Sequence, residues 1–446
     1  MISGLSTTST TRLNHNVSTT YDNIIESTSF YSQTYFNSSI LIIGTIFVVK
    51  LLNFTQCDVT FLRNNSIVTS GIHLNSNSSL ILDNSVFHVN SDSFTLNISN
   101  SPLIRSVFNS TISISNSTMY SNINFKDAFF YLNEGLKFQV VNSFFYNFSL
   151  LLQTPSITDI YIHYCGFYSP NSNLISINKG KNFYFTNNYV FANKNPLQSL
   201  FNINNIQIVA INSNILVLKP FNIIQNQNQD YLFICTNISQ FNVFNNSFDS
   251  FQFLFHLSNS LIITVTLNNF SYFTIAFSLM NFNSSLFSKN SFISGANPFY
   301  LPNLDLKFQL NCTLNNFYFF NSIISIEKQQ QKNITSYLSF SYNYYSDFNP
   351  IKSDNSGISN FPYRSEYFTD YHPLMYSFEN YELLGNEIVL KSNGYYNESL
   401  SEQNLFIIDN QLLLIILFYG SLLISPLLVL LIYKKTSKKY GLKERV

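Results

Sequence analysis

FQVVNSFF (138–145), IYIHYCGF (160–167) and FYFTNNYV (183–190) follow one another at short, even steps and share one pattern. Two apolar positions alternate with outward ones; then comes Asn, or Tyr164 in its place; then a short step ends on another apolar residue. The unit recurs as LILDNSVF (80–87), ISISNSTM (112–119), FNVFNNSF (241–248), ITVTLNNF (263–270), LFSKNSF (286–292) and LNCTLNNF (310–317). Alternation at period two marks strands with one buried face. Anchors at Asn142, Tyr164, Asn187 and Asn212, then at Asn246, Asn269, Asn290, Asn315 and Asn343, recur at steps of 21–28 residues. The longer step from Asn212 to Asn246 implies an inserted loop. A strand-built unit of this length predicts a solenoid, in which the core forms between coils because one coil cannot bury its apolar face alone. Coils stack about 4.8 Å apart, so about twelve of them over residues 40–345 make a rod near 60 Å long.

The repeated Asn suits such a chain. It tolerates the left-handed backbone that tight corners need, and its amide can bond to the Asn of the coils above and below. It does the work of glycine here, and the chain has only 12 Gly.

Composition excludes several classes. The 446 residues carry 23 basic and 23 acidic side chains, and charged residues make up only 10%. A neutral chain has no electrostatic footprint for nucleic acid. With 46 Phe and 29 Tyr it is not a disordered polar chain.

Leu412 to Tyr433 reads LLLIILFYGSLLISPLLVLLIY, without a charge. At about 1.5 Å per residue it reaches about 33 Å, enough for a bilayer core of about 30 Å. Lys434, Lys435, Lys438 and Lys439 follow, whereas Glu398, Glu402 and Asp409 precede it. The positive-inside rule then puts residues 434–446 in the cytosol and the body outside. Residues 1–39 are polar, and Ile40 to Val49 starts too late for a secretory signal. A truncated start or an unusual signal is the expectation, with the C-terminal helix as a late signal-anchor the alternative; a tail anchor reverses this topology and leaves the body in the cytosol. The expected organisation is a polar segment (1–39), a β-helix (40–345), a closing segment (346–380), a juxtamembrane stalk (381–411), a transmembrane helix (412–433) and a basic tail (434–446).

Sequons that an extracellular body would expose include Asn53, Asn64, Asn77, Asn97, Asn109, Asn116, Asn147, Asn237, Asn245, Asn269, Asn283, Asn311, Asn333 and Asn397. Glycans there would solubilise a body this poor in charge. Cys57, Cys165, Cys235 and Cys312 lie several coils apart, beyond the reach of about 7 Å that a disulfide allows, and read as buried free thiols.

YNYYSDFNPIKSDNSGISNFPYRSEYFTDYHPLM (342–375) carries a more specific signal. It resembles the closing segment of right-handed parallel β-helix proteins of the periplasmic copper-binding type, related to carbohydrate-binding proteins and sugar hydrolases of pectin lyase-like fold. Asn343, Tyr344, Ser346 and Asp347 match its first part, with Tyr345 where Trp is usual. Gly357, Ile358, Pro362 and Tyr363 match the second, and Asp370, Pro373, Leu374 and Met375 the third. The resemblance implies an all-β, right-handed parallel β-helix ahead of the C-terminal membrane helix. Ser356 and Asn360 stand where the family has acids, and Asp354 alone leaves the loop poorly equipped for calcium. His15, His73, His88, His163, His256 and His372 include no close pair, so copper ligation is not expected either.

Catalytic signals are sparse. Between Asp159 and Glu327 the acids are Asp230, Asp249 and Asp305, of which Asp230 and Asp249 are the one pair near a single coil step. Glycoside hydrolysis needs two carboxylates at a set separation. No nucleotide loop, nucleophile elbow or metal motif occurs, and no cofactor is expected. The sequence therefore reads as a non-enzymatic, single-pass surface protein with a structural, adhesive or carbohydrate-recognising ectodomain. Its expected partners are the membrane and carbohydrate or another surface protein. A membrane-tethered polysaccharide lyase, hydrolase or epimerase is the alternative, and a cytosolic membrane scaffold a third reading.

Overall fold

A computed structural model describes residues 21–63, 71–91, 102–121, 128–148, 150–168, 170, 174–192, 199–218, 231–302, 308–320, 322–327, 338–348, 358–359, 361–384 and 387–391. The chain divides into two compact units, Met1–Val389 and Leu390–Val446, and the solenoid belongs to the first.

Each coil contributes three strands to three parallel faces. Glu134–Val141 lies on face one, Phe144–Tyr146 on face two and Leu152–Thr154 on face three; Ser156–His163 then returns to face one beside Glu134–Val141. An unbroken register column on face one runs Tyr35, Phe54, Leu82, Ile114, Val140, Ile162, Phe185, Ile211, Val243, Val265, Phe287, Cys312, Phe340. From Phe54 on, every member is buried. The expected parallel solenoid is thus present, but it starts before residue 40. Asn23–Ile25 pairs with Ser39–Ile42 and Thr28–Phe36 with Thr45–Thr55. The Ser and Thr that make residues 21–36 look like a polar leader alternate with Phe and Tyr, and Thr, Phe and Tyr all suit strands.

Phenylalanine fills the later coils. On face two, Phe248, Phe270, Phe292 and Phe317 stack at 5.0–5.3 Å and continue onto Tyr345 at 5.5 Å. On face three, Phe201, Phe233, Phe255 and Phe277 stack at 4.3–5.0 Å.

The corners divide between two residues the work that the sequence assigned to one Asn. At the corner between faces one and two, Asn84, Asn116, Asn142, Tyr164, Asn187, Ser213, Asn245, Leu267, Lys289, Leu314 and Tyr342 have positive φ. The residue after each is buried and forms the ladder. Asn188, Asn214, Asn246, Asn268, Asn290, Asn315 and Asn343 run up the solenoid. In each step the Nδ2 and the backbone N–H of one Asn donate to the Oδ1 of the next, at 2.8–3.0 Å. The same Nδ2 donates back to a strand carbonyl, as Asn290 does to Val265 at 2.9 Å. Of the sequence anchors, Asn142, Tyr164 and Asn187 are corner residues and Asn246, Asn290, Asn315 and Asn343 ladder residues. Asn212 and Asn269 are neither; they end and begin strands. In earlier coils Ser85, Ser117 and Ser143 fill ladder positions with hydroxyls, which accept the backbone N–H of Cys57, Ser85 and Ser117.

Every amide in this column also donates forward to the next rung, so the last rung is an acceptor. Asp370 fills it: its Oδ2 takes the N–H and Nδ2 of Asn343 at 3.0 and 3.2 Å and the hydroxyl of Tyr345 at 3.1 Å, and its Oδ1 takes the N–H of His372. The closing segment holds it there. Tyr363–Arg364 pairs antiparallel with Thr369–Asp370, Leu374 bridges to Tyr344 and Ile358, and Tyr363 stacks on Tyr345 at 3.8 Å. This covers what would be an open sheet edge.

The inserted loop expected between Asn212 and Asn246 falls on residues 219–230, outside the described residues. Leu412–Tyr433 also lies outside them. Among the described residues, no helix is long and apolar enough to cross a membrane. All four cysteines are free and buried. Burial pushes the Cys165 thiol up to about 12.

Candidate functional site

A ladder residue fixes which neighbours face out. Counting back from Cys165, Ile162 and Ile160 are buried, whereas His163 and Tyr161 face outward. The next coil repeats this from Asn188, with Phe185 and Phe183 inside and Thr186 and Tyr184 outside. On face one, therefore, Tyr161 meets Tyr184 in register, and the rings stack at 5.1 Å and 10°. Asp159 meets Asn182, which donates to it at 2.7 Å, and Lys137 from the preceding coil lies 5.4 Å from the Tyr161 ring. His163 contacts the Thr186 hydroxyl. Burial, then Asp159 and Tyr184, hold the Tyr161 phenol above its ordinary range, so it stays protonated and able to donate. Burial lowers His163, which favours neutral imidazole.

Around the corner, face two carries a second outward row. His88, Tyr120, Tyr146 and Tyr168 are successive register partners, stacked at 5.2, 4.9 and 4.8 Å and within 14° of parallel. Each inner ring covers its neighbour's face, so the row presents ring edges and hydroxyls outward. Gly166 makes room for it, since a Cβ there would lie 2.7 Å from the Phe144 ring and 2.8 Å from that of Tyr168.

Tyr164 stands at the corner between these rows. It is 62% exposed with φ 55°, and its rung neighbours are Asn142 and Asn187. A bulky side chain in the left-handed region costs about 1 kcal/mol or more, a strain that Asn escapes. No aromatic rung covers either face of this ring. The rings paired in register are closed by stacking; this one is open.

The sequence-derived candidates fare unevenly. Asp230 lies outside the described residues. Asp249 sits on the outside of face two opposite Val217 and accepts from Ser271 at 2.8 Å and Ser250 at 3.2 Å, a satisfied structural carboxylate. Among the described residues, no group of three or more His, Cys, Asp and Glu could hold a metal ion. Of the sequons, Asn77, Asn109, Asn116, Asn147, Asn237 and Asn245 occupy exposed left-handed corners and Asn283 is exposed. Asn53, Asn269 and Asn311 are half-buried on strands. Asn64, Asn97, Asn333 and Asn397 lie outside the described residues. The tyrosine rows escape a reading of the sequence because outward and inward aromatics alternate in the same strands. DIYIH (159–163) holds the signal, with Asp159, Tyr161 and His163 on one parity.

No family model matches the chain, and no curated protein matches it. Among solved structures it is similar to the periplasmic alginate epimerase AlgG, with 9% identity, 68% of this chain and 77% of that chain covered, and a TM-score of 0.40. At that identity the likeness concerns the fold alone.

Proposed function

We propose that this protein is a carbohydrate-recognising surface protein, whose solenoid binds a glycan chain across the tyrosine-rich corner of the coils spanning residues 134–191. The carrying observation is Tyr164, an exposed and strained aromatic ring between two rows of outward tyrosines. Its open face can stack on the apolar face of a pyranose, while Lys137, Asp159 and Asn182 and the tyrosine hydroxyls bond to sugar hydroxyls. Rows repeating at the strand spacing suit an extended polymer better than a compact ligand.

Tyr164→Asn tests the reading. Asn is the native residue at the same corner in adjacent coils, so the variant keeps its denaturation midpoint or raises it. On a glycan array, the detergent-solubilised full chain binds at least one polysaccharide, and Tyr164→Asn weakens that binding about tenfold, equivalent to about 1.4 kcal/mol. Undiminished binding by the variant removes the site.

The reading includes an outward body held by Leu412–Tyr433, with the lysines after it in the cytosol. Endoglycosidase treatment of the expressed chain should then increase its gel mobility by many kilodaltons, with Asn77, Asn116 and Asn147 among the occupied corners. An unchanged mobility places the solenoid in the cytosol and ends the surface reading.

The group Lys137, Asp159, Tyr161 and His163 on one face favours a second reading, lyase or epimerase chemistry on the bound chain. One carboxylate is too few for glycoside hydrolysis. Unsaturated or epimerised products, lost in Tyr161→Phe, would establish it.

A further inference from the structure

The corner between faces two and three is tight from Ser247 on. Asn269–Met280 and Ser291–Leu301 run straight through it as continuous strands. Its rungs there are Ser250, Tyr272, Ser294 and Phe319, all with positive φ between 53° and 65°. Their order follows from register: Ser250 donates its N–H to the Ser271 carbonyl, Ser271 and Phe273 pair with Ile293 and Gly295, and these pair with Tyr318 and Phe320. Beyond Phe319, the Ser346 hydroxyl accepts its N–H at 3.0 Å. Serine and aromatic rungs thus alternate.

The alternation has a physical consequence. In the row at Tyr120, Tyr146 and Tyr168 every rung is aromatic and the faces close on one another. Here a serine separates the rings, so the faces turned toward Ser294 stay open. Tyr272 is 61% exposed and Phe319 75%, and among the described residues the one ring beside Phe319 is Tyr318 of its own strand, tilted at 6.5 Å. Two bulky aromatics in left-handed backbone are strained, and neither repays the strain by packing into the core. Their rungs lie two strand spacings apart, about 9.6 Å. A flat ring between them needs about 7 Å at van der Waals contact on both sides. A puckered saturated ring, thicker than a flat one, fills the slot better. The floor is firm: Phe273 packs across Gly295, where a Cβ would lie 2.6 Å from its ring, and touches Phe320 at 5.8 Å.

We propose that Tyr272 and Phe319 form a two-ring clamp over Ser294 that takes one pyranose unit of a neutral glycan. No Lys or Arg occupies these rungs, which disfavours anionic sugars and nucleotides, while the Ser294 rung between them offers a hydroxyl to a sugar. The clamp stands on its own geometry and does not require the tyrosine-rich corner at Tyr164.

The chain has no Trp, so Phe319→Trp in the detergent-solubilised full chain creates a single fluorescent reporter at an exposed position. Titration with cello-, laminari-, manno- and chito-hexaose should give a saturable blue shift with at least one of them. Adding Tyr272→Asn, a residue this corner already accepts at Asn147, should weaken that titration about tenfold without lowering the denaturation midpoint. Adding Tyr164→Asn instead should leave it unchanged, which separates the clamp from the site proposed above. Four outcomes overturn the clamp: no saturable shift with any neutral hexaose, a shift given only by a uronate oligomer or a nucleotide, equal affinity with and without Tyr272, or loss of the titration in the Tyr164→Asn background.

Discussion

Asn290→Asp lowers stability by about 3–5 kcal/mol, the cost of an uncompensated buried charge, whereas Asp370→Asn costs about 1–3 kcal/mol, that of one unsatisfied group. The two exchanges swap the same pair of residues in one ladder. At Asn290 the Oδ1 accepts two bonds from Asn268, and the Nδ2 donates to the Asn315 Oδ1 and the Val265 carbonyl. An aspartate there keeps the first pair and turns an oxygen on two acceptors in a site with no exposure. Protonation restores one donor of two. At Asp370 nothing follows in the column, so an asparagine still accepts from Asn343 and loses only the bond from the His372 N–H. Denaturant unfolding of the full chain by far-UV circular dichroism measures both. Equal losses would mean that the ladder has no direction.

The pH dependence follows with a definite sign. Burial of the carboxyl that Asn290→Asp introduces raises its folded pKa above the unfolded value of about 3.9. The deficit of this variant is therefore smallest below that pH, where one unsatisfied acceptor remains, grows as pH rises toward the folded value and levels off above it. Native Asp370 shows a weaker form of this: burial raises its pKa, opposed by the bonds from Asn343, His372 and Tyr345.

The period is readable because two apolar positions at fixed offsets recur before each corner, and a parallel solenoid alone buries them all on one side. The ladder is half readable. Corner and ladder residues are both Asn at Asn187–Asn188 and Asn245–Asn246, so the sequence pattern merges their two tasks into one Asn. Ser213, Leu267, Lys289 and Leu314 separate them: in these coils the corner residue varies while the ladder residue stays Asn, because the ladder bonds need its amide. With the ladder residue fixed, strand parity says which tyrosines point outward, and Tyr161, Tyr184 and Tyr164 become legible. What parity cannot supply is the register between coils of different length. That register makes the Tyr161–Tyr184 pair and places Ser294 between Tyr272 and Phe319. The early start of the solenoid escapes the pattern for another reason: its corner Asn37 stands alone, without an earlier coil to set a period, and the backbone pairing of Thr28–Phe36 depends on partners in the next coil.

Phe255→Ala should cost about 3–5 kcal/mol, toward the upper end of that range. Phe255 joins the two phenylalanine stacks. Its ring is fully buried, lies parallel to Phe233 and Phe277 at 5.0 and 4.9 Å, and meets Phe241 and Phe248 edge-on at 5.8 and 5.2 Å. A cavity there cannot collapse along the axis, because hydrogen bonds from Phe253–Ser258 to both neighbouring coils fix the spacing. Phe255→Leu keeps most of the volume and should cost much less. In a solenoid each coil is supported by its neighbours, so the damage should be local. Hydrogen exchange should quicken in residues 233–280 and leave Ile112–Ser115 and Phe138–Val141 unchanged. A uniform rise along the whole rod would mean that the coils unfold as one unit, and the nearest-neighbour account of this core would then be wrong.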